Sequence, residues 1–294
     1  MINYMFLLFL SKRFHTLSCN RVSSFIIFFS LGIKNPLSFS KFFLKLKENG
    51  SDSKMTQTGV IQIYTDSELY LIPTTSSSID SLARNYSFWL ENRYKYSFLN
   101  YDMACHVIND NEYYTIELMK NIDLAFDSYD LKVDIEIEEL FFKGIEREVD
   151  QAKSALYQLP KIHPKLINDF FEVKEHCGKV GFLHGDFHIG NVMMKGEEPM
   201  LIDLDRAKKF GPVDIDHIHY KLVQLQVEKH VFWLDELEQY FKCNVNSHLS
   251  SYSEDMVKLY LLYRVYFELN SSNKWLTKKL INFFNNIEGL VYDK

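Results

Sequence analysis

Three observations predict an α+β fold, with a small sheet-bearing part ahead of a larger, mainly helical one. Short β-type runs separated by turn residues crowd into residues 55–121. From Ile135 onward the apolar residues recur mostly at helical spacing. One stretch breaks that second pattern: Gly181 to Phe210, GFLHGDFHIGNVMMKGEEPMLIDLDRAKKF, sets acids and an amide among apolar runs that read as strands.

The 294 residues suit one two-lobed protein or two small domains, and are enough for a sizeable core. Hydrophobic residues make up 47% and aromatics 15%, which excludes disorder of the whole. The net charge of −6 is uneven: residues 1–54 carry eight Lys/Arg against two Asp/Glu, a local +6, so the remainder carries −12. A body that acidic argues against nucleic acid as the main partner. Cys19, Cys105, Cys177 and Cys243 show neither CxxC pairing nor metal-ligand spacing. They read as separate reduced thiols, which predicts a cytoplasmic protein.

Residues 1–54 read as a basic, Phe-rich leader or as the start of the first lobe; nine of the 24 Phe fall before residue 50. Met1–Leu10 is interrupted at Ser11-Lys12-Arg13, and Phe25–Phe29 falls well short of the ~20 residues a spanning helix requires. No A-x-A-type cleavage site follows either run, so no signal peptide is read. The basic excess and the Phe content make this stretch a candidate for peripheral contact with an anionic membrane. Opening strands of a small domain, or a poorly ordered leader, are the simpler and favoured reading.

In residues 55–121, Val60–Tyr64 and Leu69–Ile72 flank Thr65-Asp66-Ser67-Glu68, a hairpin signal. The cap-rich Thr74–Ser78 leads into Ile79, Leu82, Tyr86, Trp89, Leu90 and Arg93, whose spacing predicts a helix over about 79–94. Ser97–Ile108 and Tyr113–Met119 read as two further strands. Residues 122–294 form the helical part. Ile135, Leu140, Phe141, Ile145, Val149, Ala152 and Leu156 share one face of a long helix ending before Pro160, and Pro164 opens a second to about His176. Helices over about 216–230, 234–241, 254–270 and 275–287 complete it. Tyr260, Tyr263, Tyr266 and Phe267 form an aromatic stripe that reads as core, with a pocket lining as the alternative.

Within the central stretch, Asp186 sits in a loop after Val180-Gly181-Phe182-Leu183, Asn191 comes five residues later, and Asp203 twelve after that. Val192-Met193-Met194 and Met200-Leu201-Ile202 flank Lys195-Gly196-Glu197-Glu198-Pro199, predicting a β-hairpin with a five-residue connection. A hairpin returns the chain on itself, so Asn191 and Asp203 are expected at one edge, close enough to share a metal ion, beside the loop of Asp186. Phosphoryl transfer asks for such a set. It needs oxygen ligands for Mg²⁺, usually one or two from the protein, and a carboxylate that orients the attacking hydroxyl and accepts its proton.

Taken singly, these residues have plainer uses, since a loop Asp is usually a turn former or helix cap. His184 and His188 with His217 and His219 invite a metal-cluster reading, but Gly185 and Gly190 speak against an HxxxH helix, and both loop histidines read as structural braces. A metallophosphatase would want an upstream DxH, which is missing. An Asp-nucleophile phosphatase would not show Arg206-Ala207 after Asp203-Leu204-Asp205.

His184-Gly185-Asp186-Phe187-His188-Ile189-Gly190-Asn191 with Ile202-Asp203-Leu204-Asp205 resembles the HGDxHxxN and IDxD/E motifs of the aminoglycoside phosphotransferase and choline kinase group. Leu201–Arg206 also looks like the corresponding strand of lipopolysaccharide-core sugar kinases. Two separated pieces agree with the group in type, order and spacing. The resemblance implies a protein-kinase-like two-lobed fold, with 55–121 as N-lobe, 122–294 as C-lobe carrying the catalytic loop and metal-binding hairpin, and the active site in the cleft. It implies an ATP- and Mg²⁺-dependent phosphotransferase acting on a hydroxyl of a small molecule, a sugar or lipid-linked sugar first. Asp186 then orients and deprotonates the acceptor. Asn191 and Asp203 hold Mg²⁺, and Glu117-Leu118-Met119 is the hinge at which Glu117 and Met119 meet adenine. Asp205 supports the metal or holds a second one. Lys208 or Lys209 screens phosphate charge, unless the two are simply a solvated basic pair. Asp216, with Asp214 as alternative, matches an Asp that caps a helix after the metal strand.

The N-lobe departs from the group in one respect. The group usually has a strand Lys that grips the α- and β-phosphates and pairs with a helix Glu. Glu91 suits the helix member, but Leu69-Tyr70-Leu71-Ile72-Pro73 holds no Lys, which leaves Lys45 and Lys47 as the nearest alternatives. No GxGxxG occurs. The rival expectation is therefore a pseudokinase, a nucleotide-binding or interaction module without transfer.

Overall fold

The computed structural model describes residues 41–42, 45, 52–55, 59–108, 111–117, 119–121, 144–172, 179–242, 247–269 and 274–292. In chain order its elements are β1 (Asp52–Met55), β2 (Val60–Tyr64), β3 (Glu68–Pro73), α1 (Ser76–Asn92), β4 (Met103–Ile108), β5 (Asn111–Glu117) and β6 (Lys120–Asn121). Then come α2 (Glu146–Tyr157), α3 (Pro164–Phe170), β7 (Val180–Leu183), β8 (Val192–Lys195), β9 (Glu198–Leu201), β10 (Lys208–Pro212), α4 (Asp214–Lys229), α5 (Trp233–Lys242), α6 (Glu254–Leu269) and α7 (Lys274–Tyr292). They fall into two compact units, residues 1–129 with 190–206 and residues 130–189 with 207–294. The readings of the leader before residue 41, of Lys47, of Leu118 and of Ile135, Leu140 and Phe141 lie outside the described residues.

The first unit is built on a five-stranded antiparallel sheet in the order β1-β2-β3-β5-β4. β2 and β3 pair from Val60↔Pro73 to Tyr64↔Leu69 around the expected turn, and Asp52–Met55 adds an edge strand against β2. Ser97–Leu99 is a 3-10 turn rather than the start of a strand, and β4 begins only at Met103. The Trp89 indole N–H donates to Leu99 O at 3.2 Å, which commits that carbonyl to α1 and not to a ladder. α1 starts where its cap chemistry says it should. Thr75 Oγ1 accepts the Ser78 N–H and Ser78 Oγ accepts the Thr75 N–H, a reciprocal capping box. Its buried stripe is Ser78, Leu82, Asn85, Trp89 and Asn92, while Ile79 and Leu90 of the expected apolar face are exposed.

Residues 190–206 of the same unit carry the hairpin. β8 lies between β6 and β9 in a three-stranded sheet, with Asn121 opposite Met193. Lys195 pairs with Glu198, so the connection is the two residues Gly196-Glu197, not the five expected. Gly196 adopts a φ of 66°, which fits the Gly-X form of two-residue hairpin loop. Pro199, expected in the connection, belongs to β9; it is tolerated because β9 is an edge strand that can spare an N–H.

The second unit holds helices α2 to α7 and the two-stranded sheet β7–β10. α2 and α4 pack on α6, α5 and α7 pack together, and α3 meets α7. Phe170 meets Phe241 and Phe284 edge-on, with ring centroids 4.9 and 5.8 Å apart. α3 stops at Phe170, short of the expected His176, because Phe170 and Phe171 both turn into this core. Gly144, at φ 84°, lets the backbone pass Phe210: a Cβ there would lie 2.0 Å from Phe210 O. Among the described residues no strand comes after Pro212, and no helix is long and apolar enough to cross a membrane.

Candidate functional site

The loop of Asp186 belongs to the second unit. It leaves β7, a strand buried along its whole length that pairs with β10 from Leu183↔Lys208 to Val180↔Pro212. Three contacts pin it. Asp216, fully buried in the first turn of α4, accepts the His184 N–H at 2.6 Å and the Gly185 N–H at 2.9 Å. His184 Nδ1 accepts the Asp186 N–H at 3.4 Å, as the brace reading of this histidine requires. Phe187 stacks on Tyr220, centroids 5.4 Å apart. Asp216 does not cap a helix as expected. α4 has Val213 at its N-cap and no side-chain cap there, and the Asp216 carboxylate is committed to the loop backbone. Burial pushes its carboxyl up to about 7, opposed by the two amide donors. Asp214, the alternative, lies 3.5 Å from His217 Nδ1.

The Asp186 side chain is gripped from two helices. Its Oδ1 lies 3.0 Å from Arg264 Nη1 on α6 and 3.0 Å from His219 Nε2 on α4. The contact with His219 has the geometry of an ion pair but the electrostatics of a neutral hydrogen bond. Burial, the largest cause, drives the imidazole pKa down to about 4 against the pull of the Asp186 hydrogen bond. Sequence reading missed both partners. The available signals were a lone Arg inside the buried run Met256–Val265, where a charge needs a partner, and a His one helical turn after Asp216. The four histidines near the motif do not form a metal cluster: no three His, Cys, Asp or Glu gather as a metal site among the described residues.

Asn191 and Asp203 belong to the first unit and stand at the two ends of one hairpin. Val192 pairs with Leu201, and the Ile202 N–H donates to Asn191 O at 3.0 Å, so Asp203 is the first residue past the pair. Asn191 is buried; Asp203 is exposed and holds a φ of 62°, the left-handed region that a residue with a Cβ rarely adopts. Residues 204–205 are tied to α1. The Leu204 N–H donates to the buried Asn85 Oδ1 at 3.2 Å, Ser81 Oγ donates to Asp205 Oδ2 at 2.8 Å, and Arg84 lies 3.9 Å from the same oxygen. The α1 residues that meet residues 204–205 are thus Ser81, Arg84 and Asn85, and Glu91 is exposed. Tyr101, buried with its hydroxyl lacking a hydrogen-bond partner, has its pKa raised by burial and by the Asp203 charge. As donors, Asn191 and Asp203 fit Mg²⁺: both offer hard oxygens, and one or two protein ligands suffice for this ion.

Of the other expected residues, Glu117 ends β5, and its Oε2 accepts from Lys195 Nζ at 2.8 Å and from the Asp102 N–H at 3.2 Å; the Lys195 hydrogen bond lowers its pKa. Met119 is buried. Lys208 Nζ is 2.8 Å from the buried Glu148, so this lysine is engaged within its own unit, while Lys209 is exposed.

Residues 134–218 match the family model of the phosphotransferase enzyme family, APH, a span that takes in the Asp186 loop, the hairpin and Asp216. No curated protein matches the chain. Over those residues the chain is similar to that phosphotransferase family, in agreement with the resemblance its two motifs carry to aminoglycoside phosphotransferases and choline kinases.

Proposed function

We propose that the protein is an ATP- and Mg²⁺-dependent kinase that phosphorylates a hydroxyl group of a small molecule, a sugar or lipid-linked sugar in the first instance. The observation that carries this reading is the family match over the stretch where one loop is braced to present Asp186 and one tight hairpin returns Asn191 to Asp203. Asp186 orients the acceptor hydroxyl and takes its proton. Asn191 and Asp203 are the oxygen donors for Mg²⁺, which when bound neutralises charge on the nucleotide phosphates. Ser81 and Asn85 hold Asp205 and Leu204, the residues that follow the left-handed Asp203. Glu117 and Met119 remain the proposed adenine contacts. The sugar preference rests on the resemblance of Leu201–Arg206 alone. A cytoplasmic setting completes the proposal.

Mg²⁺-dependent ATP turnover, screened against amino sugars, choline-like amines and core sugars, tests it. Asp186→Asn should keep nucleotide affinity and lose turnover by about 10²–10⁴-fold, the usual contribution of a general base. Asp203→Asn should weaken Mg²⁺-dependent nucleotide binding as well. Near-wild-type turnover in Asp186→Asn would sink the mechanism. A second reading, a pseudokinase, is favoured by one observation: β2, β3, β4 and β5 contain no Lys or Arg to meet phosphates. Nucleotide binding without turnover on any acceptor would select it.

A further inference from the structure

Resting on the role of Asp186 proposed above, we infer that His219 and Arg264 are positioning residues that clamp the Asp186 carboxylate in one orientation as an anion, and that Tyr260 and Glu268 set the clamp. Helical spacing builds the device. On α4, Asp216 and His219 lie one turn apart, so a single helix face holds the loop backbone through Asp216 and the Asp186 side chain through His219. On α6, Tyr260, Arg264 and Glu268 recur at four-residue steps. Arg264 spans two of its neighbours, Nη1 to Asp186 at 3.0 Å and Nη2 to Glu268 at 2.9 Å.

The contacts decide the tautomer. Burial keeps His219 neutral, and a neutral imidazole has one donor and one acceptor. Asp186 only accepts, so Nε2 carries the proton, and Nδ1 accepts from the Tyr260 hydroxyl 3.0 Å away. Tyr260 stays a donor because burial raises its pKa. Burial works against the Arg264 cation, but Tyr260, Asp186 and Glu268 outweigh it, and its pKa is raised. The other titratable groups around Asp186 in this unit are His184, which accepts the Asp186 N–H, Asp216, whose carboxyl feels the Asp186 charge, and His188, whose ring lies 6.4 Å from that of His219.

Two donors converging on one oxygen fix the plane of the carboxylate, and the cationic one compensates its charge. Asp186 is thereby suited to orient a hydroxyl and take its proton late. The acceptor oxygen bonds to the γ-phosphorus, the bond to the β,γ-bridging oxygen breaks with its electrons leaving on ADP, and the hydroxyl proton passes to Asp186. This order fits a loose transfer in which early deprotonation is not needed.

Phosphate release from Mg²⁺–ATP, with water as acceptor, is the assay, run beside ATP affinity and thermal unfolding. His219→Gln and Arg264→Ala should lower kcat by about 10- to 100-fold, as misplaced catalytic groups do, with ATP affinity unchanged. Arg264→Lys should recover part of the loss. Unchanged kcat in either folded variant would overturn the inference. So would a loss of kcat that merely tracks the folded fraction, or no recovery in Arg264→Lys. Absence of turnover in the wild type would count against the proposed function instead. The clamp is then read by nitrogen NMR of His219: the neutral Nε2–H form at pH 7, perturbed by Asp186→Asn, supports it, and an imidazolium or Nδ1–H form refutes it.

Discussion

His219 allows a stability prediction whose size is set by its surroundings. The imidazole is 4% exposed, and burial lowers its pKa to about 4 from the ordinary 6.5. Between those values the unfolded chain binds the proton and the folded protein does not. The stability His219 contributes is therefore present above pH 6.5 and lost as the pH falls toward 4. At about 1.4 kcal/mol per pH unit, that interval amounts to about 3 kcal/mol. Asp216 acts in the opposite sense. Its carboxyl is raised to about 7 from 3.8, so its contribution is present below about pH 4 and lost as the pH rises toward 7. The wild-type curve thus mixes two opposing slopes, and the difference between proteins is the quantity to measure. His219→Gln offers Asp186 an amide donor but has no proton to gain. Urea unfolding of both proteins from pH 7 to pH 4 should show the variant gaining about 3 kcal/mol relative to wild type at the acid end. Parallel curves would refute a buried, neutral His219 and with it the assigned tautomer.

Gly144→Ala should lower stability by at least about 2 kcal/mol in thermal unfolding, since the left-handed backbone alone costs roughly 1–2 kcal/mol and the new Cβ would press on Phe210 O. Tyr101→Phe should leave stability unchanged or slightly raised, because its buried hydroxyl has no hydrogen-bond partner to lose; a loss above ~1 kcal/mol in denaturant unfolding would show an engaged hydroxyl. Asn85→Leu should cost about 1–3 kcal/mol by stranding the Leu204 N–H and should weaken Mg²⁺-dependent ATP binding in calorimetric titration; unchanged binding in the folded variant would refute a role for Asn85 in holding the segment after Asp203.

Much of the fold is legible in the sequence because its signals are local. The hairpin β2–β3, α1 with its Thr75 cap, and the helices from α4 to α7 arise from turn residues, caps and apolar spacing that act within a few residues. Sequence and structure part where a distant group competes with a local preference. Ser97–Leu99 looks like strand, yet the Leu99 carbonyl is taken by Trp89. Periodicity carries α3 past Phe171 because it says nothing about the core that draws Phe170 and Phe171 in. The position of the β8–β9 hairpin is legible, but its loop length is not: Gly196 sets a two-residue turn, and a proline on an edge strand looks the same in sequence as a proline in a loop.

The site divides along the same line. Asp186, Asn191 and Asp203 stand out because their order and spacing are read directly from the chain. Their supporting residues come from 31 to 124 positions away, Asp216 for the loop and Ser81 for Asp205 being the two extremes with a direct hydrogen bond. No local pattern joins such pairs. What betrays them is polarity out of place: Asn85 within the buried stripe of α1, Arg264 within a run of buried apolar residues, His219 among the buried residues of α4. A buried polar group without a partner costs about 1–3 kcal/mol, so each such residue in a helix asks for a specific partner elsewhere in the chain. In this protein the partners are Leu204, Asp186 and Asp186 again. These partners belong to the motif segments, so the misplaced polarity of Asn85, Arg264 and His219 points, each within its own unit, to Leu204 or to Asp186.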